Sequence, residues 1–231
     1  MVTGGGILKA TNLTVNTSGT SSAAIRSDKG GGNLSVDGGT YTTTGQGSPT
    51  IYSTANVKVE NANLTATASE GIVIEGKNSV TIDNCNLTDS NTKLNGKSTT
   101  YKNIFIYQSM SGDSDVGNSE FSANNSTITT NNGDSFYVTN QKAIINLKNN
   151  KIINNDTNGN FLKIQKDSWG TDGSNGGDVT LVMENQESNR KYCSRFYIDF
   201  GYDIKRKFIL WGGDKWRKFS KRNNLKIRCL I

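Results

Sequence analysis

Ile25, Ile51, Ile74, Ile106, Val138 and Ile164 each lie in a short run of alternating apolar residues, and the side chains beside them are the ones with chemistry to offer. The residues that follow form one set: Arg26, Tyr52, Glu75, Tyr107, Thr139 and Gln165. The residues that precede form a second: Ala24, Thr50, Val73, Phe105, Tyr137 and Lys163. Alternation with a period of two puts both sets on the face turned away from a core. If successive runs pair as neighbouring strands, about 4.8 Å apart, Tyr52, Phe105, Tyr107 and Tyr137 make an exposed aromatic patch. Arg26, Glu75 and Lys163 flank it. Rings stack on the apolar faces of sugars and charges select hydroxyls or carboxylates, so these seven residues are the candidate carbohydrate-binding set. The competing expectation is that aromatic residues simply suit sheet surfaces, or that an inserted loop covers them.

Catalytic candidates are scarce. The chain contains no histidine, which removes histidine general bases and histidine metal ligands. A glycoside hydrolase needs two carboxyl groups a few ångströms apart, and no outward face carries an adjacent acidic pair. Asp113, Asp115, Asp172 and Asp178 lie in glycine-rich insertions and would supply carboxylate oxygens to calcium. Calcium is therefore the one cofactor considered, and no catalytic residue is assigned. Cys85, Cys193 and Cys229 show neither ligand nor disulfide spacing.

What must position these residues is a repeat. Leu34, Val57, Val80, Phe121 and Ile145 begin successive copies, and seven residues later stand Tyr41, Leu64, Leu87, Ile128 and Ile152. The steps between copies are 23, 23, 41 and 24 residues, the long one absorbing an insertion from Asp89 through Tyr101. A fixed period in the low twenties, made of short alternating runs, is the mark of a solenoid of strands. Four residues past each first anchor come Gly38, Asn61, Asn84, Asn125 and Asn149. Asparagine tolerates the left-handed backbone of a tight corner, and stacked amides can bond one another. Thr14, Thr42, Thr65, Thr88 and Thr129 follow the second anchors as a β-branched ladder. The expected fold is all-β: a right-handed parallel β-helix of about six to seven coils, spanning residues 1–186.

The apolar content of 33% is low for a compact globule but adequate for a solenoid, where each coil buries only its inward residues. Charge is unevenly spread. Residues 190–231 carry 13 Lys or Arg against 3 acids, whereas the rest of the chain holds 13 basic and 17 acidic groups. The basic balance belongs to the tail, where one reading is a genuine segment that binds nucleic acid or anionic polymer and the other, preferred here, is a reading-frame slip, so nucleic acid is not the expected partner. From Glu187 the repeat grammar stops, and residues 187–231 read as a basic aromatic tail. Codons chosen for this stretch and read one base later restore alternating Ser, Thr, Asn and Gly-rich coils, so a frame-shifted remnant is expected there. No signal peptide or apolar membrane span is present, and the chain opens directly inside a coil, as a truncated protein would.

The segments SAAIRSDKGGGNLSVDGGTYTTTGQGSPTIYST, SEGIVIEGKNSVTI, NIFIYQSMSGDSDVG and GDSFYVTN resemble secreted or cell-surface β-helical repeat proteins of monoderm bacteria. The resemblance covers residues 4–186 and implies an adhesin-like, carbohydrate-binding module with an architecture related to pectate lyases. It implies an extracellular or cell-surface location and a polysaccharide partner. β-Helical lyases use Lys or Arg as base beside a calcium cluster, and here Arg26 and Lys163 stand at opposite ends of the face. The leading expectation is thus a non-catalytic polysaccharide binder; the alternatives are a calcium-dependent lyase acting on acidic polysaccharide and a structural spacer. An ice-binding threonine face ranks last, because paired threonines occur in only two coils.

Overall fold

The computed structural model describes residues 1–169 and 176–189, together with the backbone of three short strands at Phe196–Tyr197, Lys207–Phe208 and Leu225–Leu230. Among the described residues there is no helix; the chain is all-β. Each repeat supplies three strands. The first strands are Asn56–Glu60, Ser79–Asp83, Ser119–Asn124, Gln141–Lys148 and Gly177–Glu184. The second are Asn63–Ala66, Asn86–Asp89, Thr127–Thr130, Lys151–Asn154 and Glu187–Ser188. In the first two repeats these positions merge into the 12-residue strands Gly6–Thr17 and Gly32–Thr43. The third strands are Val2–Thr3, Ile25–Asp28, Ile51–Ser53, Ile72–Glu75, Lys102–Tyr107, Asp134–Thr139 and Leu162–Ile164.

Every strand of a class pairs in parallel with the strand one repeat on. The third strands form a seven-stranded sheet in chain order. The first and second strands form a larger sheet, joined through Gly32–Thr43, which pairs with Asn56–Glu60 along its first half and Asn63–Ala66 along its second. Both anchor columns are in direct register: Leu34, Val57, Val80, Phe121 and Ile145 pair in sequence, as do Tyr41, Leu64, Leu87, Ile128 and Ile152. These residues, with Ile25, Ile51, Ile74, Ile106, Val138 and Ile164, make one continuous buried core.

The asparagine corner forms as its residue type dictates. Asn61, Asn84, Asn125, Asn149 and Asn185 all have φ between 49° and 56°. The Asn84 amide donates to Asn61 Oδ1 at 2.8 Å, Asn149 to Asn125 at 3.2 Å and Asn185 to Asn149 at 2.9 Å. The ladder changes partner in two places, where Asn61 donates to Asp37 and Asn125 to Asp83. At Gly38 the asparagine is absent because Asn12 of the previous repeat fills the space: a Cβ there would lie 2.0 Å from its Oδ1.

Two expectations about register are corrected. Thr14 does not join the threonine column: it pairs with Thr40, while Asn16 stands opposite Thr42. Val15, seven residues past Leu8 as Tyr41 is past Leu34, takes the second anchor position opposite Tyr41 in place of Leu13. The ladder itself holds, with Thr42, Thr65, Thr88 and Thr129 in direct register. In-register pairing also runs slightly past residue 186, since Lys151 and Ile152 pair with Glu187 and Ser188. The expected reading-frame slip beyond residue 189 lies outside the described residues, apart from the backbone of the three short strands named above, of which Leu225–Leu230 pairs antiparallel with the strand at 177–184.

Candidate functional site

The third-strand sheet carries all seven candidate residues, but in a different arrangement from the one alternation suggests. Ile51 pairs with Ile72, not with Ile74, so the third strand of the 72–75 repeat is advanced by two residues. A slip of two preserves the in-out parity and keeps Ile72 and Ile74 both fully buried, which is why the pattern alone does not detect it. One outward column therefore reads Arg26, Tyr52, Val73, Phe105, Tyr137 and Lys163. Glu75, Tyr107 and Thr139 form the next. Arg26 and Tyr52 thus join the column of Phe105 and Tyr137 instead of standing beneath Glu75.

The larger correction concerns exposure. Glu75, Phe105, Tyr107 and Tyr137 are not an open platform; their relative exposures are 1%, 2%, 6% and 0%. Phe105 stacks on Tyr107 with centroids 4.4 Å apart, and Trp169 meets both edge-on at 5.7 and 5.1 Å. Trp169 belongs to the second insertion and is held by the first: its indole N–H donates to Ser98 Oγ at 3.1 Å, and Ser168 donates to the Lys97 carbonyl. Asp167 anchors the same segment by accepting from the Tyr137 hydroxyl and from Thr139 Oγ1. Lys97 and Ser98 of the first insertion and Asp167 to Trp169 of the second thus close over the sheet as a strap. Aromatic residues at these positions pack against that strap as a second, smaller apolar cluster.

The polar groups of the face are used internally. Glu75 Oε2 accepts from the hydroxyls of Tyr52 at 2.6 Å and Tyr107 at 2.9 Å, while Oε1 accepts from Ser109 and Ser111. Burial, reinforced by the Glu75 charge, pushes the Tyr52 hydroxyl far above its ordinary value. Tyr107 rises for the same reasons, and Tyr137 through burial and its bond to Asp167. Arg26 is paired with Asp28 at 2.6 Å and lies over the Tyr52 ring. Lys163 approaches Asp134 at 3.9 Å. The positive ends of the face are thus neutralised within their own neighbourhoods.

Beneath the strap sits a cation that alternation does not single out. Lys102, 1% exposed, places its ammonium 4.4 Å from the Phe105 centroid and 5.0 Å from that of Tyr137. It donates to Ser98 Oγ and the Thr100 carbonyl and lies 3.6 Å from Glu70 Oε1. Burial lowers its pKa, and the Glu70 charge opposes that shift. A lysine heading a strand that is buried throughout, Lys102-Asn103-Ile104-Phe105-Ile106-Tyr107, was the available signal.

The acidic insertion residues do not converge: among the described residues no group of three or more His, Cys, Asp or Glu side chains is placed to hold a metal, and Asp172 lies outside those residues. The exposed counterpart to the strapped face is the outer side of the second strands. One column there runs Thr40, Asn63, Asn86, Thr127, Lys151 and the next Thr42, Thr65, Thr88, Thr129, Ile153, all in register. From Thr40 to Thr129 neither column contains a charged residue. Comparison of the chain with family models, curated proteins and solved structures finds no match.

Proposed function

We propose that the chain is a right-handed parallel β-helix acting as a non-catalytic, adhesin-like module of a secreted or cell-surface protein, and that it binds neutral polysaccharide. The observation that carries this reading is the pair of uncharged Thr and Asn columns on the outer face of the second strands. Along the stack such groups recur about every 4.8 Å, and across a strand about every 6.6 Å. A single hydroxyl contributes little to affinity, but a rigid array of them meets a repeating polymer at several points without ordering a loop. The lack of charge favours a neutral chain over a uronate. It replaces the aromatic column, whose rings are covered, as the binding surface.

The test is affinity electrophoresis against neutral and acidic polysaccharides, comparing the full chain with Thr65→Glu and Thr88→Glu. Retardation by a neutral polymer, lost in both variants, supports the reading. Retardation that survives both variants removes the second-strand face from consideration. The spacer reading is favoured by one observation, the internal use of every candidate group on the third-strand face, and retardation by no polymer would put it first.

A further inference from the structure

A different feature lies at the corner between the second and third strands, independent of polysaccharide binding. The inward residues that close the second strands form the register column Thr43, Ala66, Asp89, Thr130 and Asn154. Asp89 is fully buried, and its Oδ2 has no hydrogen-bond donor. Asn91 Oδ1 and Asn103 Oδ1 are likewise buried without a donor.

These atoms belong to one ring of contacts. Asn91 N donates to Asp89 Oδ1 at 3.2 Å, and Asn91 Nδ2 donates to the Lys102 carbonyl at 2.7 Å. The next residue, Asn103, donates through Nδ2 to Thr130 Oγ1 at 3.0 Å and to the Thr129 carbonyl. Thr130 is the in-register neighbour of Asp89, which completes the circuit. Both amides have committed their NH2 groups, so their carbonyl oxygens keep their orientation. Gly71 secures one of them: a Cβ there would lie 2.3 Å from Asn103 Oδ1.

What the ring lacks is positive charge or donors, never acceptors. A buried acceptor left without a partner costs free energy, and several together call for an ion or ordered water. The nearest cation does not fill the role, because the Lys102 ammonium is already bonded to Ser98 and Thr100 and faces Glu70. The donor set is oxygen alone, from one carboxylate and two amides, which suits a hard cation and not a thiophilic or imidazole-seeking metal. We propose that this corner is a binding site for one hard cation of the calcium type, held by Asp89 Oδ2, Asn91 Oδ1 and Asn103 Oδ1, with water completing its shell. The ion would tie together the two ends of the first insertion, at Asp89 and Asn91 on one side and Asn103 on the other. It is a structural site, separate from the exposed acidic loops.

The experiment is thermal unfolding of the full chain after chelation, titrated with calcium chloride and, in parallel, magnesium chloride, together with calorimetric titration. At a hundredfold excess over the dissociation constant, calcium raises the midpoint by on the order of 5–10 °C, with one site per chain. Asp89→Asn abolishes the shift while its calcium-free midpoint stays at or above that of the parent, since the variant no longer buries a carboxylate. Asn91→Asp, which adds a second carboxylate, tightens binding about tenfold, following the dependence of such sites on ligand charge. Asp113→Asn, in the exposed loop, keeps the shift. No calcium-dependent shift in the parent, a shift that persists in Asp89→Asn, or one lost equally in Asp113→Asn overturns the proposal.

Discussion

Replacing Glu75 by glutamine tests the closed form of the third-strand face. The carboxylate is 1% exposed and serves four hydroxyls, two on each oxygen. Glutamine offers one accepting oxygen and one NH2. The serine side adapts, because Ser109 Oγ can donate to Ser111 Oγ, 2.7 Å away. The tyrosine side has less freedom, since both phenols meet at Oε2 and each rotates only about its C–O bond. A hydrogen bond to a charged group contributes about 1.5–3 kcal/mol and a neutral one about 1 kcal/mol. With two phenolic bonds weakened, Glu75→Gln should cost about 2–3 kcal/mol, read as a fall in the urea midpoint with unchanged slope. Tyr107→Phe made in both backgrounds should show a coupling of about 1 kcal/mol or more. A cost below about 0.5 kcal/mol, the range of ordinary surface changes, with additive effects of Tyr107→Phe, would refute the reasoning. It would mean that Glu75 sits in water and that the segment at Ser109 and Ser111 does not cover it.

Three further outcomes follow from the same structure. Tyr52, Tyr107 and Tyr137 keep their protons in the fold well above pH 10, whereas the unfolded chain loses them near 10. Stability therefore falls as pH rises past 10, by up to about 1.4 kcal/mol per pH unit for each such tyrosine, and ultraviolet titration should show these phenols ionising only on unfolding. Asn84→Ala keeps the β-carbon in a backbone with φ of 52° but removes the carboxamide that bonds Asn61; thermal unfolding should register a loss of about 0.5–1.5 kcal/mol, that of a hydrogen bond, with Asn84→Gly milder because it relieves the β-carbon. Trp169→Ala removes the ring that packs on Phe105 and Tyr107 and should cost about 2–3 kcal/mol, below the range for a fully buried tryptophan. Its retardation by neutral polysaccharide should nevertheless equal that of the parent, because the second-strand face is untouched; a marked gain would restore the aromatic column as a sugar platform.

What alternation can and cannot convey explains which expectations held. The period of the anchors and the asparagine corner are local and repeated: each copy states which residue turns inward and where the backbone must adopt positive φ. Those readings carry over residue by residue, from Leu34 opposite Val57 to the amide bond between Asn84 and Asn61. A two-residue slip leaves that pattern unchanged, so the pairing of Ile51 with Ile72 was invisible, and with it the membership of the outward columns. Exposure is less local still. Whether an outward residue meets water depends on loops that break the repeat, and the contacts that cover Phe105 and Tyr107 join Ser98 to Trp169 across 71 residues. The residues outside the repeat grammar mark that junction: a tryptophan in one insertion, a serine in the other and a lysine at the head of a buried strand. In a chain built from copies, the departures from the copy carry the information about what the surface does. Here they indicate that the aromatic side is fastened shut, which leaves the plain Thr and Asn side available for contact.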